Sequence, residues 1–455
     1  MTHTAQGRDL LTVSIPMDTF IYPEVPLPRM WSVEQRFDTP ALSSAEVEQA
    51  TAKAVRAFIA RDARLKPGAS VAVGSGSRGL DNLVLVVKTV VSCLKEAGML
   101  PFVIPAMGSH GGATKEGQEA LLKDYGLLPE IIGAPIRATM DVIEAGRLTG
   151  MSAGPFEGHV VCYDAIAASA DAVLLVNRIK PHTDFSSEIE SGIGKMAAIG
   201  LGKQQGAEGI HHYGARGLRE LMPRVARFLA HNTNIVGGVA LIENELGRTA
   251  EIHAVGYDEM AEDRERELLN RSRAISPSIP YKDLDLLVID EMGKNISGCG
   301  MDTHVIGRGF MPSIPEHTWG GPNIRLLAVL DLTDASHGNA TALGLADITT
   351  RTLVEKIDFN SMLINMRTSG EGGVMRARLP LIMPTFDDCV KTAYATCGQG
   401  DSREVKFVRI RNTADTRCFE ISEALLNETR ANPALTVMDD GHPLDLSQKV
   451  PASRD

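Results

Sequence analysis

Histidine and lysine side chains are concentrated in one glycine-rich segment of the sequence, residues 177–212. His182 and Lys195 lie within it, and the adjacent pair His211 and His212 ends it. Imidazole is the side chain best suited to moving protons near neutral pH. A lysine in an apolar setting can lose its proton and become nucleophilic, although an exposed loop lysine is about as common. The segment could therefore support proton transfer and the covalent or electrostatic anchoring of a ligand.

The two adjacent histidines do not make a metal site by themselves. Neighbouring residues on a helix point about 100° apart, so at most one of His211 and His212 can bind a given ion. The sequence contains no HExxH motif, no Cys/His zinc spacing and no acidic calcium loop. If a metal is bound, something other than protein must supply most of its ligands.

Two further loops carry related chemistry. His110 lies in a glycine-rich loop, and the loop at 74–79 contains Ser75, Ser77 and Arg78. Backbone N–H groups and an arginine in such a loop can bind a phosphate. Gly74, Gly76 and Gly79 have the spacing of a GxGxxG dinucleotide fingerprint, which is a weak signal by itself, and a turn whose glycines only relieve strain is the alternative. A lone histidine is usually structural, but two in equivalent loops favour a function.

These loops follow predicted strands in a regular α/β alternation. Apolar runs at 69–73, 101–105 and 172–176 predict buried strands, and a helix over 81–97, capped by Asp81, follows the first. Strand, polar loop and helix in succession predict a parallel sheet with right-handed crossovers. Ligands of such sheets bind off the carboxyl ends of the strands. The three loops are therefore expected to converge.

The length of 455 residues predicts two domains. Two prolines within 275–280 suggest a boundary there, which gives a catalytic and cofactor-binding domain at 1–275 and a second domain at 276–455. The last residues, from about 432, resemble a loose tail. The expected fold class is α/β, with two α/β domains, mainly parallel sheets and the active site in the interdomain cleft.

Composition narrows the class of partner. A net charge of −11 and an isoelectric point near 5.6 argue against binding to nucleic acid or to an anionic membrane surface. The six cysteines form no CxxC pair. No basic segment followed by an apolar run, as in a signal peptide, occurs near residue 1, and no apolar run is long enough to span a membrane. A reduced, cytoplasmic protein that acts on a small molecule is expected.

Taken together, the motifs resemble the nickel-dependent lactate racemase family, whose members racemise or epimerise 2-hydroxy acids. The resemblance spans about residues 10 to 420. The residues that carry it are Arg78 after a strand, Gly108-Ser109-His110, Pro181-His182, Lys195, His211 and Glu291-Met292-Gly293-Lys294. The resemblance implies a nickel-pincer nucleotide, a pyridinium mononucleotide whose two sulfurs and ring carbon hold nickel, tethered to the protein through a lysine.

The resemblance also implies roles for the matching residues. Lys195 matches the lysine to which the cofactor is covalently attached, and His211 matches the remaining nickel ligand better than His212 does. His110 and His182 match the catalytic acid and base on opposite faces of the substrate. The implied partners are a hydroxy-acid substrate and the enzymes that synthesise the cofactor, and a homo-oligomer is left open.

Contacts to the cofactor phosphate or to the substrate carboxylate are implied for two basic residues. Arg78 matches such a contact among the cofactor-binding residues, with Ser75 and Ser77 beside it in the loop. Lys294 matches another contact of this kind and is counted, together with His110 and His182, among the expected catalytic residues.

The sequence departs from the family pattern in three places. Ser75 stands where the racemases carry an acidic residue, Glu291 stands where glutamine is usual, and the stretch after His182 is longer and includes Glu188 and Glu190. Acidic side chains near a pocket suit hydroxyl groups, as on a sugar acid, better than a methyl group. The expected activity is that of an isomerase inverting C2 of a 2-hydroxy acid by reversible hydride transfer, with the individual substrate open.

Three other functions fit parts of the sequence. An ordinary pyridine-nucleotide oxidoreductase would use the α/β rhythm and the loop at 74–79, but it leaves Lys195 and His211 without roles. A sugar-acid hydro-lyase would use His110 or His182 to remove the C2 proton without nickel. A binding protein would have kept the fold and lost the chemistry.

Overall fold

Two large sheets and a small hairpin form the framework of the chain. The computed structural model describes residues 25–37, 41–76, 79–311, 313–368, 370–399 and 401–453. The described strands are β1 (Arg29–Gln35), β2 (Ser70–Ser75), β3 (Leu100–Pro105), β4 (Val142–Arg147), β5 (Val160–Asp164), β6 (Ala172–Arg178), β7 (Ile235–Glu243), β8 (Thr249–Gly256), β9 (Asp283–Ile289), β10 (Asn323–Val329), β11 (Ile348–Thr350), β12 (Leu381–Met383), β13 (Phe407–Asn412), β14 (Asp415–Ser422), β15 (Leu435–Val437) and β16 (His442–Pro443).

Helices connect most of the strands. The described α-helices are α1 (Ser44–Arg61), α2 (Leu83–Glu96), α3 (Lys115–Asp124), α4 (Pro129–Ile132), α5 (Gly150–Ala153), α6 (Ala165–Ser169), α7 (Ile193–Lys195), α8 (Lys203–His211), α9 (Gly214–Arg216), α10 (Met222–Asn232), α11 (Asp263–Ile275), α12 (Arg351–Glu355), α13 (Phe359–Thr368), α14 (Gly370–Arg376), α15 (Phe386–Thr396) and α16 (Leu426–Ala431). Two π-helical turns, Met196–Gly200 and Gly217–Leu221, follow α7 and α9. No described helix has the length and apolar character needed to cross a membrane.

The first sheet has the strand order β3-β2-β6-β7-β8, in which only β8 is antiparallel to its neighbour. Alternate residues of β6 enter different apolar cores: Val173 and Leu175 pack on one side of the sheet, and Leu174 and Val176 pack on the other. A strand buried on both faces needs apolar residues at every position. The continuous apolar runs at 69–73, 101–105 and 172–176 therefore correspond to buried parallel strands, as predicted.

The second sheet has the order β12-β11-β10-β9-β13-β14-β1-β15, with β16 paired to β1. Strands β12 to β13 along this order are parallel, and the pairs from β13·β14 onward are antiparallel. The α/β fold class is thus confirmed. The domain limits of 1–275 and 276–455 stay a prediction, although β1 belongs to the sheet that the second half builds.

The expectation of a loose C-terminal tail is wrong for the described residues. β15 and β16 pair with β1, and the backbone N–H of Val450 donates to the carboxylate of Asp290 at 2.7 Å. The buried Arg409 guanidinium donates to the carbonyl oxygens of Asp445 and Gln448 at 2.7 and 2.6 Å. The tail is fixed because it satisfies buried polar groups of the second sheet.

Candidate active site

Ser75 and the loops that contain His110 and His182 lie at the carboxyl ends of neighbouring strands of the first sheet. Ser75 is the last residue of β2, and the two loops follow β3 and β6; the three strands run parallel to one another. The predicted common edge is therefore present. The Ser75 hydroxyl is buried and has no hydrogen-bond partner among the described residues. Ser77 and Arg78 lie outside the described residues.

The loop after β6 is built around the carboxylate of Glu190. This buried side chain accepts the backbone N–H of His182 at 2.5 Å and that of Ser187 at 2.8 Å, and it pairs with Arg273 at 2.5 Å. A buried carboxylate requires such partners because its desolvation is costly. Glu190 is therefore committed to holding His182 in place.

The expectation that the acidic residues after His182 would face substrate hydroxyls is wrong. Glu190 is engaged as described above, and the side chain of Glu188 is 76% exposed and pairs with Arg266 at 3.4 Å. The groups near the His182 ring are mostly cationic instead: the positive charges of Lys195, Lys180 and Arg376 all lower its pKa, and the carboxylate of Asp184 opposes them. Such surroundings suit an anionic substrate better than a neutral polyol.

His182 is held as a neutral imidazole. Burial first, and then the charge of Lys195, keep its pKa well below 6.5. Its Nδ1 accepts the backbone N–H of Asp184 at 3.0 Å, so this hydrogen bond assigns the ring proton to Nε2. The ring packs against Phe185 with 4.7 Å between centroids. His182 is thus set to donate a hydrogen bond from Nε2.

Lys195 lies beside His182 at the end of the short helix α7. Its Nζ is 5.9 Å from the centroid of the Phe185 ring, and burial lowers its pKa to about 8 against the opposing charge of Asp184. The start of α7 is fixed by Glu265, whose buried carboxylate accepts the backbone N–H of Gly194 at 3.0 Å. At pH 7 about a tenth of such an amine is unprotonated, far more than for an ordinary lysine.

His211 ends helix α8 and shares the electrostatic surroundings of Lys195. Partial burial, followed by the charge of Lys195, lowers its pKa, while Asp184 opposes the shift. A neutral imidazole has a free lone pair, which is the form that binds metals. No group of three or more His, Cys, Asp or Glu side chains that could hold a metal occurs in the described part of the chain. One protein ligand fits a metal that arrives with its other ligands already bound.

A buried polar network joins the His110 loop to the start of α8. The side chain of Gln118 donates to the carbonyl oxygens of Gly108 at 2.8 Å and His110 at 3.3 Å, and it accepts from Lys203 Nζ at 3.2 Å. Lys203 is 0% exposed, pairs with Asp164 at 2.9 Å and has a left-handed backbone with φ of 52°. A non-glycine residue in this conformation is strained and persists only where its surroundings fix it.

His110 lies at the same end of the sheet, but its ring does not contact His182, Lys195 or His211 through any hydrogen bond or ring contact among the described residues. Its Nδ1 lies 2.6 Å from the carbonyl oxygen of Met107, so it donates there and Nε2 keeps its lone pair. The Gly108 N–H donates to Gly200 O at 3.1 Å, in the π-turn after Lys195. Among the described residues, no hydrogen bond or ring contact joins the ring of His110 to that of His182 or His211.

Loops of the second half close the site from the other side. His304 Nε2 lies 3.1 Å from the carbonyl oxygen of His182, and Thr303 Oγ1 donates to Thr183 O at 3.1 Å. Lys294 donates from Nζ to Gly298 O at 2.8 Å, and its charge helps to lower the pKa of Asp184. The site therefore uses residues from both sides of the predicted boundary.

Two site residues, Asp184 and Arg376, were not predicted from the sequence. The guanidinium of Arg376, at the end of α14, forms an ion pair with Asp184 across the site. Asp184 could have been suspected because it follows His182 by two residues. Arg376 gave no signal, because nothing in its local sequence separates it from a surface arginine.

The sequence of the chain has little similarity to that of known proteins. No protein-family model matches the chain, and no curated protein matches its sequence. One similar solved structure is the lactate racemase apoprotein from Thermoanaerobacterium thermosaccharolyticum, which is 12% identical with a TM-score of 0.43, over 77% of this chain and 94% of that chain. A second is a Thermotoga maritima protein from a structural-genomics programme, 12% identical with a TM-score of 0.45, over 78% of this chain and 92% of that chain. The function of the chain is therefore inferred from the side chains of its site.

Proposed function

We propose that the protein is a racemase or epimerase that inverts C2 of a 2-hydroxy acid with the help of a nickel-pincer nucleotide attached to Lys195. The observation that carries this proposal is the grouping of a partly neutral lysine, Lys195, with two neutral imidazoles, His182 and His211, around the Asp184 carboxylate. When bound, the cofactor would supply the metal and an electrophilic ring that takes a hydride from C2 and returns it to either face.

Lys195 and His211 are the residues that would hold this cofactor. Lys195 can form a covalent bond because its lowered pKa leaves a share of the amine nucleophilic at neutral pH. His211 can offer a nitrogen lone pair to the metal. A cofactor that brings its own sulfur and carbon ligands agrees with the single imidazole that this part of the site provides.

The two remaining histidines would handle the hydroxyl proton. His110 presents an Nε2 lone pair, because its Nδ1 donates to Met107 O, and it can therefore accept a proton. His182 presents an Nε2–H, which can hydrogen-bond to the substrate oxygen on the other face. Lys294, whose charge acts on Asp184, would contact the cofactor phosphate or the substrate carboxylate. A homo-oligomer and a cytoplasmic location stay predictions.

Intact-mass measurement tests the attachment. Protein produced together with the cofactor-synthesis enzymes should exceed the sequence mass by one cofactor, and Lys195→Ala should abolish both the added mass and the racemisation of 2-hydroxy acids. His211→Ala should keep the added mass but lose much of the nickel, measured by elemental analysis.

The matched control is His212→Ala, one residue further along. It should retain both the added mass and the nickel, because His212 is the poorer match for the metal ligand. An active protein of unmodified mass would refute the attachment and return the hydro-lyase and oxidoreductase alternatives to consideration.

A further inference from the structure

Arg376 is a buried arginine with an incomplete set of partners. Its side chain is 1% exposed, and within the described part of the chain only its Nη1 is paired, with the carboxylate of Asp184. Nε and Nη2 are shielded from solvent and have no hydrogen-bond partner among the described residues. These two nitrogens form one edge of the guanidinium, and their parallel N–H bonds match the two oxygens of a carboxylate or phosphate.

A third donor without an acceptor lies in the same neighbourhood. The guanidinium carbon of Arg376 is 5.9 Å from the centroid of the Trp319 ring, and the buried Nε1–H of Trp319 also has no partner among the described residues. Three unpaired donors in one buried region are costly, because each loses its hydration without a replacement. An arginine cannot avoid this cost by losing its proton.

Arg409 shows how the same chain treats a buried arginine that serves structure. Its Nε donates to Asp290 at 2.7 Å, Nη1 donates to Glu420 at 3.1 Å, and Nη2 donates to Gln448 O at 2.6 Å. Every nitrogen of that guanidinium has an acceptor. The contrast indicates that Nε and Nη2 of Arg376 bind an acceptor that comes from outside the chain.

We propose that the Nε and Nη2 edge of Arg376 binds the carboxylate of the substrate. The proposal rests on the function proposed above. The charge of Arg376 acts directly on His182 and Asp184, so a carboxylate on this edge would lie next to the ring assigned to C2 chemistry. Because the edge is shielded, the incoming anion has to displace neighbouring side chains. Asp184 holds the other edge of the guanidinium and sets its orientation.

A phosphate would offer the same oxygens, and the binding experiment separates the two sources. Calorimetric titration of the cofactor-free protein with racemic lactate, with gluconate and with inorganic phosphate measures binding without any turnover. We expect at least one of the two hydroxy acids to bind, and Arg376→Lys to weaken that binding by about 10- to 100-fold, because a lysine cannot reproduce the two parallel hydrogen bonds. Stronger binding of phosphate than of either acid, lost in Arg376→Lys, would assign the edge to a phosphate and overturn the proposal.

Variants of the ion pair between Asp184 and Arg376 show whether a loss of binding comes from the lost contact or from misfolding. Asp184→Asn should tighten carboxylate binding, because it removes a competing negative charge, whereas a purely structural pair would show no such gain. The double variant Asp184→Asn with Arg376→Gln keeps a neutral hydrogen-bonded pair and should fold but bind neither acid. Arg409→Lys, the matched control, should lower thermal stability and leave binding unchanged.

Two results would overturn the proposal. One is wild-type protein that binds neither hydroxy acid over their soluble range, and the other is an Arg376→Lys variant that binds as tightly as wild type. Neither result touches the proposed racemisation, which is judged separately by the loss of optical activity with the cofactor-loaded enzyme.

Discussion

At the scale of single residues, desolvation is the main physical cause of the reactive states in this site. It keeps the pKa of His182 well below 6.5 and lowers the pKa of Lys195 to about 8, in both cases with the larger effect coming from burial and the smaller from neighbouring charges. Buried cationic forms lose their hydration, so the neutral base is favoured. The same surroundings therefore prepare a nucleophilic amine and a neutral imidazole.

Chemical labelling of Lys195 should show this directly. Only the unprotonated amine reacts with an acylating reagent, so the labelling rate should rise with pH and reach half its maximum near pH 8, because the pKa is lowered to about 8. An unperturbed lysine reaches that point near about pH 10.4. Peptide mass spectrometry at several pH values measures the labelling of Lys195, and the peptide of the exposed Lys53 controls for the amount of active reagent. A midpoint for Lys195 near about pH 10.4 would contradict the burial argument.

At the scale of elements, the position of His110 depends on helix α3 and on the start of α8. Gln118, in α3, donates hydrogen bonds to the carbonyl oxygens of Gly108 and His110. It also accepts a hydrogen bond from Lys203, which is the first residue of α8, the helix that ends at His211. One network thus sets the separation of two residues that do not touch. The strained backbone of Lys203 and the burial of its charge both lower the stability of the fold, and the network maintains them.

Gln118→Leu should therefore lower kcat of the loaded enzyme with little change in KM. Displacing a catalytic group by about 1 Å can cost about 100-fold in rate, and a loss of tenfold or more is expected here. Thr385→Ala is the matched control, because Thr385 caps a different helix, α15, through the Asp388 N–H at 3.1 Å, and its hydroxyl bonds only to Asp388 among the described residues. It should cost about 1 kcal/mol of stability and leave kcat within about twofold. Equal losses of kcat in the two variants would contradict the positioning role of Gln118 and show that it only stabilises the fold.

The sequence predicted elements better than it predicted contacts. The apolar runs at β2, β3 and β6 could be found because parallel strands that are buried on both faces are apolar at nearly every position. Asp81 was expected to cap α2, but the helix begins at Leu83 and the Asp81 carboxylate accepts the backbone N–H of Thr249 at 2.7 Å. A local pattern does not reveal a partner more than a hundred residues away.

At the scale of the whole molecule, the site depends on contacts between distant parts of the chain. Arg376 and His304 reach the loop after β6 from the second half, and neither lies in a motif that local sequence could identify. Conversely, Glu190 was expected near the substrate from its position in the sequence, but its carboxylate binds the backbone N–H of His182 and the side chain of Arg273. Residue types predicted the kind of chemistry, whereas the tertiary fold decided which side chains are available for it.

The central claim is that C2 is inverted by hydride transfer within the site and not by proton exchange with water. The most direct measurement is the racemisation of a 2-hydroxy acid deuterated at C2, carried out in ordinary water with the cofactor-loaded enzyme and followed by mass spectrometry of the separated enantiomers. A hydride that leaves and returns within the closed site keeps its label, so the inverted product should retain nearly all of its deuterium. Removal of C2–H as a proton by His110 or His182 would exchange the label with solvent. Inverted product that has lost its deuterium would contradict the hydride mechanism and favour proton abstraction.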